Sequence, residues 1–243
     1  MILKIECLTK RFGGIHAVKD CSLEIEREKI TAIIGPNGSG KTTLFNLISK
    51  LLKSNDGHIH FNGKNITKLK DYEISKSGIS RTFQDVRLFR NLTIKDHLEI
   101  SLSNSDESIF KSLFKDKPNN AERIDRILKL VHLKKPLNTL VTDLSYGQRK
   151  LLDLAMAIAK PHSLLLLDEP VAGVNPVLRE EIKEIIKNLN KNKGTILLIE
   201  HDMNFVMDLA DYIFVMDAGK IIAHGEPAEI QSNKKVLEAY LGD

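Results

Sequence analysis

The chain has 243 residues, 42% of them hydrophobic and 28% charged, with 36 Lys and Arg against 32 Asp and Glu and a formal net charge of +4. That length supports one domain with an insertion or two small domains sharing an interface, and the composition is ordinary for a globular protein. The charge is too mild to argue for a nucleic-acid partner, although it suits a surface lying beside anionic lipid.

In chain order, MILKIECLTKRF and AVKDCSLEIERE read as strands joined by a turn at Gly13-Gly14, the second alternating at Cys21, Leu23 and Ile25. Lys4 and Glu6 interrupt what would be the apolar stretch of a signal peptide. No later segment approaches the ~20 apolar residues of a spanning helix, so the chain is expected neither to enter nor to cross a membrane by itself. Cys7 and Cys21 lack framework spacing and read as reduced thiols. ITAIIG is a short buried strand that runs into GPNGSGKTT and the apolar pattern LFNLISKLL, giving strand, glycine loop and helix. GHIHFNGKNI is a hairpin turning at Asn62-Gly63. Residues 103–121 are the most loop-like stretch, and ERIDRILKLVHL after them sets Ile124, Ile127, Leu128 and Val131 on one helical face. From residue 150 onward helices and short apolar strands alternate: LLDLAMAIA, SLLLLDEP, LREEIKEIIKNLN, TILLIEHD, FVMDLADY, and then the hairpin YIFVMDAGKIIAHG. That alternation predicts an α/β fold, a mostly parallel sheet covered on both faces, with residues 86–149 as a helical insertion.

Chemistry enters with Gly35-Pro36-Asn37-Gly38-Ser39-Gly40-Lys41-Thr42, which fits the phosphate-binding pattern G-x-x-x-x-G-K-[ST] with the required strand before it and helix after it. Glycines let backbone N–H groups close on phosphates, Lys41 can reach the β- and γ-phosphates, and the Thr42 hydroxyl can ligate Mg²⁺. The strand in LLLLDE delivers Asp168 and Glu169 at its C-terminal end, the edge where ligands sit in such sheets. Asp168 is expected to hold the Mg²⁺ shell, and Glu169 to act as general base toward the attacking water. His201 ends the next apolar strand at the same edge, which aims it at a γ-phosphate. Ser145 and Gly147, just ahead of a long amphipathic run, form a second candidate phosphate site, because a helix starting there turns bare N–H groups toward an anion. Gln84, in ISRTFQDVRLF, has no such independent support.

Taken in order and spacing, GPNGSGKTT, the glutamine after RTF, LSYGQ, LLLLDEP and IEHD resemble the ATP-binding subunits of ABC transporters over essentially the whole chain. The resemblance implies a P-loop NTPase whose RecA-like core and N-terminal antiparallel β part occupy residues 1–85 and 150–243, with the signature LSYGQ carried by a helical subdomain at 86–149. It implies ATP and Mg²⁺, the nucleotide being held by Gly35 to Thr43 of one chain and by Ser145, Gly147 and Gln148 of a second ATPase subunit, identical or related. Phe12 falls where the family has an aromatic that stacks on adenine, Gln84 where a loop glutamine meets Mg²⁺ or water and senses the membrane subunit, and His201 at the switch histidine. Asn175, in VAGVNP, stands where many members have Asp, and can hydrogen-bond across a dimer without bringing charge.

SRTFQDVRLFRNLTIKDHL, the 103–121 insertion, EPVAGVNP, IEHDMNFVMDLAD and the ending VLEAYLGD resemble more narrowly the ATPases of branched-chain amino acid importers, with urea and amide importers and the lipopolysaccharide-export ATPase as near alternatives. The implied setting is the cytoplasmic face of the cell membrane, with two permease subunits, an extracytoplasmic substrate-binding protein and no nucleic acid. ABC-type ATPases of DNA repair split these motifs with long coiled-coil heptads, and those of translation carry two ATPase units per chain; neither feature is present in this sequence. SIFKSLFK, with Ile109, Phe110, Leu113 and Phe114, reads either as a contact to permease or lipid or as part of a solvated helix.

Overall fold

The structure, a computed structural model, describes residues 1–103 and 120–241. Its N-terminal strands β1 (Leu3–Phe12) and β2 (Ile15–Ile25) pair antiparallel across the Gly13-Gly14 turn. After β3 (Ile30–Ile34), β4 (Asp56–Phe61) pairs antiparallel with β1, and β5 (Lys64–Asn65) closes that sheet in the order β2-β1-β4-β5. The turn before β5 places Asn62 and Gly63 at φ 51° and 76°, the left-handed pair that a two-residue hairpin requires.

The larger sheet contains β3, β6 (Ile79–Arg81), β7 (Leu164–Asp168), β8 (Ile196–Ile199), β9 (Tyr212–Asp217) and β10 (Lys220–Gly225), in the order β10-β9-β3-β8-β7-β6. All neighbouring pairs are parallel except β10 with β9. Its central strands β3, β7, β8 and β9 are buried at successive positions because both faces are covered. Ala32, Leu165, Leu198 and Ile213 turn toward one core; Ile33, Leu166, Ile199 and Phe214, one residue further on, turn toward the other.

The second core also contains Leu44, Phe45, Leu47 and Ile48 of α1 (Lys41–Ile48), together with the apolar face of the antiparallel sheet. The first core takes α3 (Ile94–Leu102), α4 (Asn120–Leu130), α5 (Tyr146–Ala159), α6 (Pro176–Lys191) and α7 (Met203–Met207). In α4, Ile124 is buried and Ile127 and Leu128 pack against the same core, as the helical spacing predicts. The signature helix α5 runs without a break through residues 149 and 150, so the helical stretch and the sheet core share one rigid element.

Four short elements are not visible as sequence patterns. α2 (Asp71–Ser77) buries only Ile74, and β6 is three residues long with two of them polar, so neither has an apolar period to read. β6 is instead held by tertiary bonds, the Ser80 hydroxyl donating to the Ala157 carbonyl at 2.7 Å. α8 (Pro227–Gln231) and α9 (Lys234–Leu241) close the described chain after the last hairpin. Both cysteine thiols are free. SIFKSLFK lies outside the described residues. Among the described residues no helix is long and apolar enough to cross a membrane.

Candidate nucleotide site

The phosphate loop follows β3 and ends on the N-terminus of α1. Gly40 caps that helix at φ 105°, and a Cβ there would collide with the Ala17 carbonyl. Gly35, at φ 148°, is pressed equally hard against the Met216 carbonyl. Only glycine lets the loop fold this closely against its neighbours. Lys41 is 6% exposed, and its ammonium donates to the carbonyls of Gly35 (2.8 Å) and Pro36 (2.9 Å) and to the Ser39 hydroxyl (3.4 Å). Burial pushes the Lys41 pKa below its ordinary value, with the carboxylates of Glu169 and Asp168 pulling the other way. Asn37, Gly38, Thr42 and Thr43 complete the run, Thr42 being exposed at the first turn of α1.

Asp168 ends β7 and is 1% exposed. One oxygen, Oδ2, receives the Arg81 guanidinium at 2.7 Å; Oδ1 has no hydrogen-bond partner among the described residues. Glu169 follows in the left-handed region at φ 48°, a conformation that costs a non-glycine residue about 1 kcal/mol or more. The bend is held by its N–H bonding the Ile199 carbonyl at 3.0 Å, and it turns the carboxylate out of the sheet. There Gln84 donates to Oε2 at 2.8 Å, and His201 Nδ1 stands 3.9 Å from Oε1. Three residues taken from three separate segments of the sequence therefore meet at one carboxylate, and Gln84, which had no support in its own surroundings, is the closest of them.

Three further residues hold this arrangement and were not singled out from the sequence. Lys150 of α5, 5% exposed, donates to the backbone carbonyls of Gln84 (2.9 Å) and Glu169 (3.2 Å). Burial depresses its pKa against the pull of Asp153, Glu200, Glu169 and Asp168. Glu200, 1% exposed, accepts from the N–H groups of Val171 (3.1 Å) and His201 (3.3 Å), which ties the segment after the acidic strand to the histidine loop. Burial pushes its carboxyl upward, partly offset by those bonds. Arg81 is the third. Of the three only Glu200 carries a signal in the sequence, a carboxylate placed directly after an apolar strand.

Phe12, read as an adenine platform, sits at the end of β1 and is 48% exposed, with the Lys10 ammonium 5.0 Å from its ring centroid. It is available to a flat partner and is not a core residue.

The signature residues face elsewhere. Ser145 caps α5: its hydroxyl accepts from the Gln148 N–H at 3.3 Å while the Gln148 side chain accepts from the Ser145 N–H at 3.1 Å. Ser145, Gly147 and Gln148 line a cleft of about 560 Å³ with Gly173, Asn175, Val177 and Leu178, and no phosphate-loop residue borders it. Asn175 caps α6, its side chain accepting from the Leu178 N–H at 2.9 Å. Within one chain, then, the two phosphate-type sites are not brought together.

Residues 18–172 match the ABC transporter family, and residues 220–243 match the family described as branched-chain amino acid ATP-binding cassette transporter. The chain is 39% identical, over 99% of its length and 95% of the relative's, to a probable branched-chain amino acid transport ATP-binding protein LivG of Archaeoglobus fulgidus. It superposes with a TM-score of 0.86 and 34% identity on the ADP conformation of an ATP-binding cassette of an ABC transporter, covering 100% of this chain and 99% of that one. A dimeric post-hydrolysis cassette bound to ADP and Pi is similar at a TM-score of 0.81 and 27% identity, over 93% of this chain and 99% of that one. With the phosphate loop, the acidic strand end and the capped signature helix in one α/β frame, these relationships make the chain a member of the ABC transporter family, one of its nucleotide-binding ATPase subunits.

Proposed function

We propose that this chain hydrolyses ATP to drive an importer of branched-chain amino acids, docked on the cytoplasmic face of the cell membrane against two permease subunits and fed by an extracytoplasmic binding protein. The observation that carries the catalytic part is the convergence of Gln84 and His201 on the Glu169 carboxylate. In this reading Gly35 to Thr43 hold the triphosphate, Phe12 stacks on adenine, and Glu169 takes the proton of the attacking water. Gln84, bonded to one Glu169 oxygen, orients that water, and His201 meets the γ-phosphate. The donor set suits a hard divalent cation: the Thr42 hydroxyl, Gln84, and Asp168 with its buried, unpartnered Oδ1 would hold Mg²⁺. Bound there, the ion would neutralise charge on the phosphate oxygens.

Ser145, Gly147 and Gln148 serve the nucleotide held by a second ATPase subunit, so that two ATP molecules lie between two subunits. That assignment is supported by the separation of the signature cleft from the phosphate loop and by the dimeric cassette bound to ADP and Pi. Loss of the γ-phosphate removes the partner's contacts and lets the subunits part. The division into a core and a helical subdomain at 86–149 belongs to the same reading, in which a permease helix lodged near Gln84 is moved with the subunits. The amino acid substrate class rests on the similarity to LivG proteins. Uptake of labelled leucine by cells carrying the complete system should depend on this chain and vanish with Glu169→Gln. Undiminished leucine uptake, or recovery of this chain from membranes with an export permease, would contradict the import assignment.

A further inference from the structure

Arg81 ends β6 three residues before Gln84, and its side chain is 7% exposed. Its guanidinium makes three polar contacts on two other segments. One nitrogen, Nη2, donates to Asp168 Oδ2 at 2.7 Å. The other, Nη1, donates to Asn46 Oδ1 at 2.9 Å and to the Ser49 hydroxyl at 2.6 Å, both at the far end of the helix that begins at Lys41. The guanidinium carbon lies over two rings, 5.5 Å from the Phe45 centroid and 5.2 Å from that of Phe83. A planar fork with three hydrogen bonds and two aromatic neighbours is held in one orientation, which a lysine could not reproduce.

An ion pair this buried is weak evidence for stability, since its desolvation cost offsets much of its attraction. Its geometry has a clearer consequence. The guanidinium occupies Oδ2 and leaves Oδ1 without a partner among the described residues, so the carboxylate cannot rotate freely and offers one defined oxygen. We propose that Arg81 is a positioning residue for the metal: it fixes Asp168 so that Oδ1 is presented to Mg²⁺, and it links that carboxylate to the phosphate-loop helix and to the strand leading into Gln84. This rests on the assignment of Asp168 to the metal shell. A displacement of the Gln84 segment would then be felt at the metal carboxylate through a single side chain.

Partners that orient a ligating carboxylate are typically worth roughly 10–100-fold in metal affinity. The test is equilibrium binding of a fluorescent N-methylanthraniloyl ATP to the purified full chain, titrated with Mg²⁺ and repeated in EDTA. The chain has no tryptophan to interfere. Arg81→Met should raise the Mg²⁺ concentration for half-effect by roughly 10–100-fold while leaving affinity in EDTA within about twofold, because the phosphate loop is untouched. Arg81→Lys should recover little, and Asn46→Ala with Ser49→Ala should shift it in the same direction by less. Equal loss with and without Mg²⁺, or an unchanged Mg²⁺ requirement, would overturn the proposal. If Arg81→Met does not fold by circular dichroism, an unchanged Mg²⁺ requirement in the Asn46→Ala, Ser49→Ala protein overturns it. Asp168→Asn separates the two levels. Should it keep the full Mg²⁺ effect, the metal assignment itself fails; should it lose the effect while Arg81→Met keeps it, only the role of Arg81 fails.

Discussion

The edge around Glu169 and the cap at Ser145 are both proposed to meet phosphate, yet the structure treats them differently. At the first, Lys41, Gln84, Glu169 and His201 come from four segments and converge, with Lys150 and Glu200 bonding the backbones that carry them. At the second, the side chains of Ser145 and Gln148 each accept from the other's backbone N–H, at the mouth of an open cleft. In the first region the side chains proposed for catalysis meet within one chain; in the second, no phosphate-loop residue borders the cleft that Ser145 lines. The same helix joins them: α5 carries the signature at its start and Lys150 one turn later. In the proposed two-subunit arrangement this helix would link a chain's own nucleotide to its partner's.

The largest expected effect comes from the convergent side. Glu169→Gln should slow hydrolysis by roughly 10²–10⁴-fold, the scale for losing a general base, while ATP binding persists and the two-subunit state accumulates. Steady-state phosphate release and light scattering with ATP check both halves of that statement; unchanged turnover would remove Glu169 from its role.

The joining helix gives an effect of intermediate size. Asp153, on α5 and 8% exposed, accepts from the Phe83 N–H at 3.4 Å, and burial raises its pKa to about 6. A carboxyl whose folded pKa is raised adds stability below its unfolded value, near 3.9, and loses it as pH climbs through 6. Asp153→Asn keeps an acceptor for Phe83 and removes the charge. Its stability advantage over the wild type should grow by about 1–2 kcal/mol between pH 5 and pH 8 in denaturant melts. A gap that does not change with pH would show that Asp153 is not buried as a costly anion.

The smallest effect is at the rim. Phe12→Ala should weaken ATP binding by about 3–10-fold, matching the 0.5–1.5 kcal/mol of an aromatic stack, and leave turnover at saturating ATP close to wild type. Equal affinity for ATP and inorganic triphosphate in the wild type would remove the stacking role.

Much of this was legible in the sequence. The phosphate loop is read from one continuous run whose chemistry is local, and the acidic pair from the end of an apolar strand. The strand order was not legible, since β3 lies between β8 and β9 through pairings of distant residues. Gln84 is recognisable only through family likeness, because a glutamine in a loop gains meaning from Glu169, eighty-five residues later. Arg81, Lys150 and Glu200 stayed hidden for a related reason. Each is an ordinary charged residue on a short strand, a helix or a strand end, and only tertiary structure reveals that it is buried with partners taken from other motifs.

The most direct test of the two-region account is complementation between two defective chains. Gly147→Asp places a negative charge in the signature at a first-turn position where the helix dipole favours an acid, its Cβ displacing the end of the Leu178 side chain, and Glu169→Gln removes the base. Each protein alone should be close to inactive. Mixed in equal amounts with ATP, half the dimers are mixed, and each then joins an intact Glu169 from one chain to an intact signature from the other. Phosphate release should recover to about a quarter of the wild-type rate, that is one working site in half of the dimers, by the mass-action counting that governs assembly. No recovery on mixing, at concentrations where the wild type turns over, would mean that both motifs act on the nucleotide of their own chain, and would contradict the division of labour drawn from the structure.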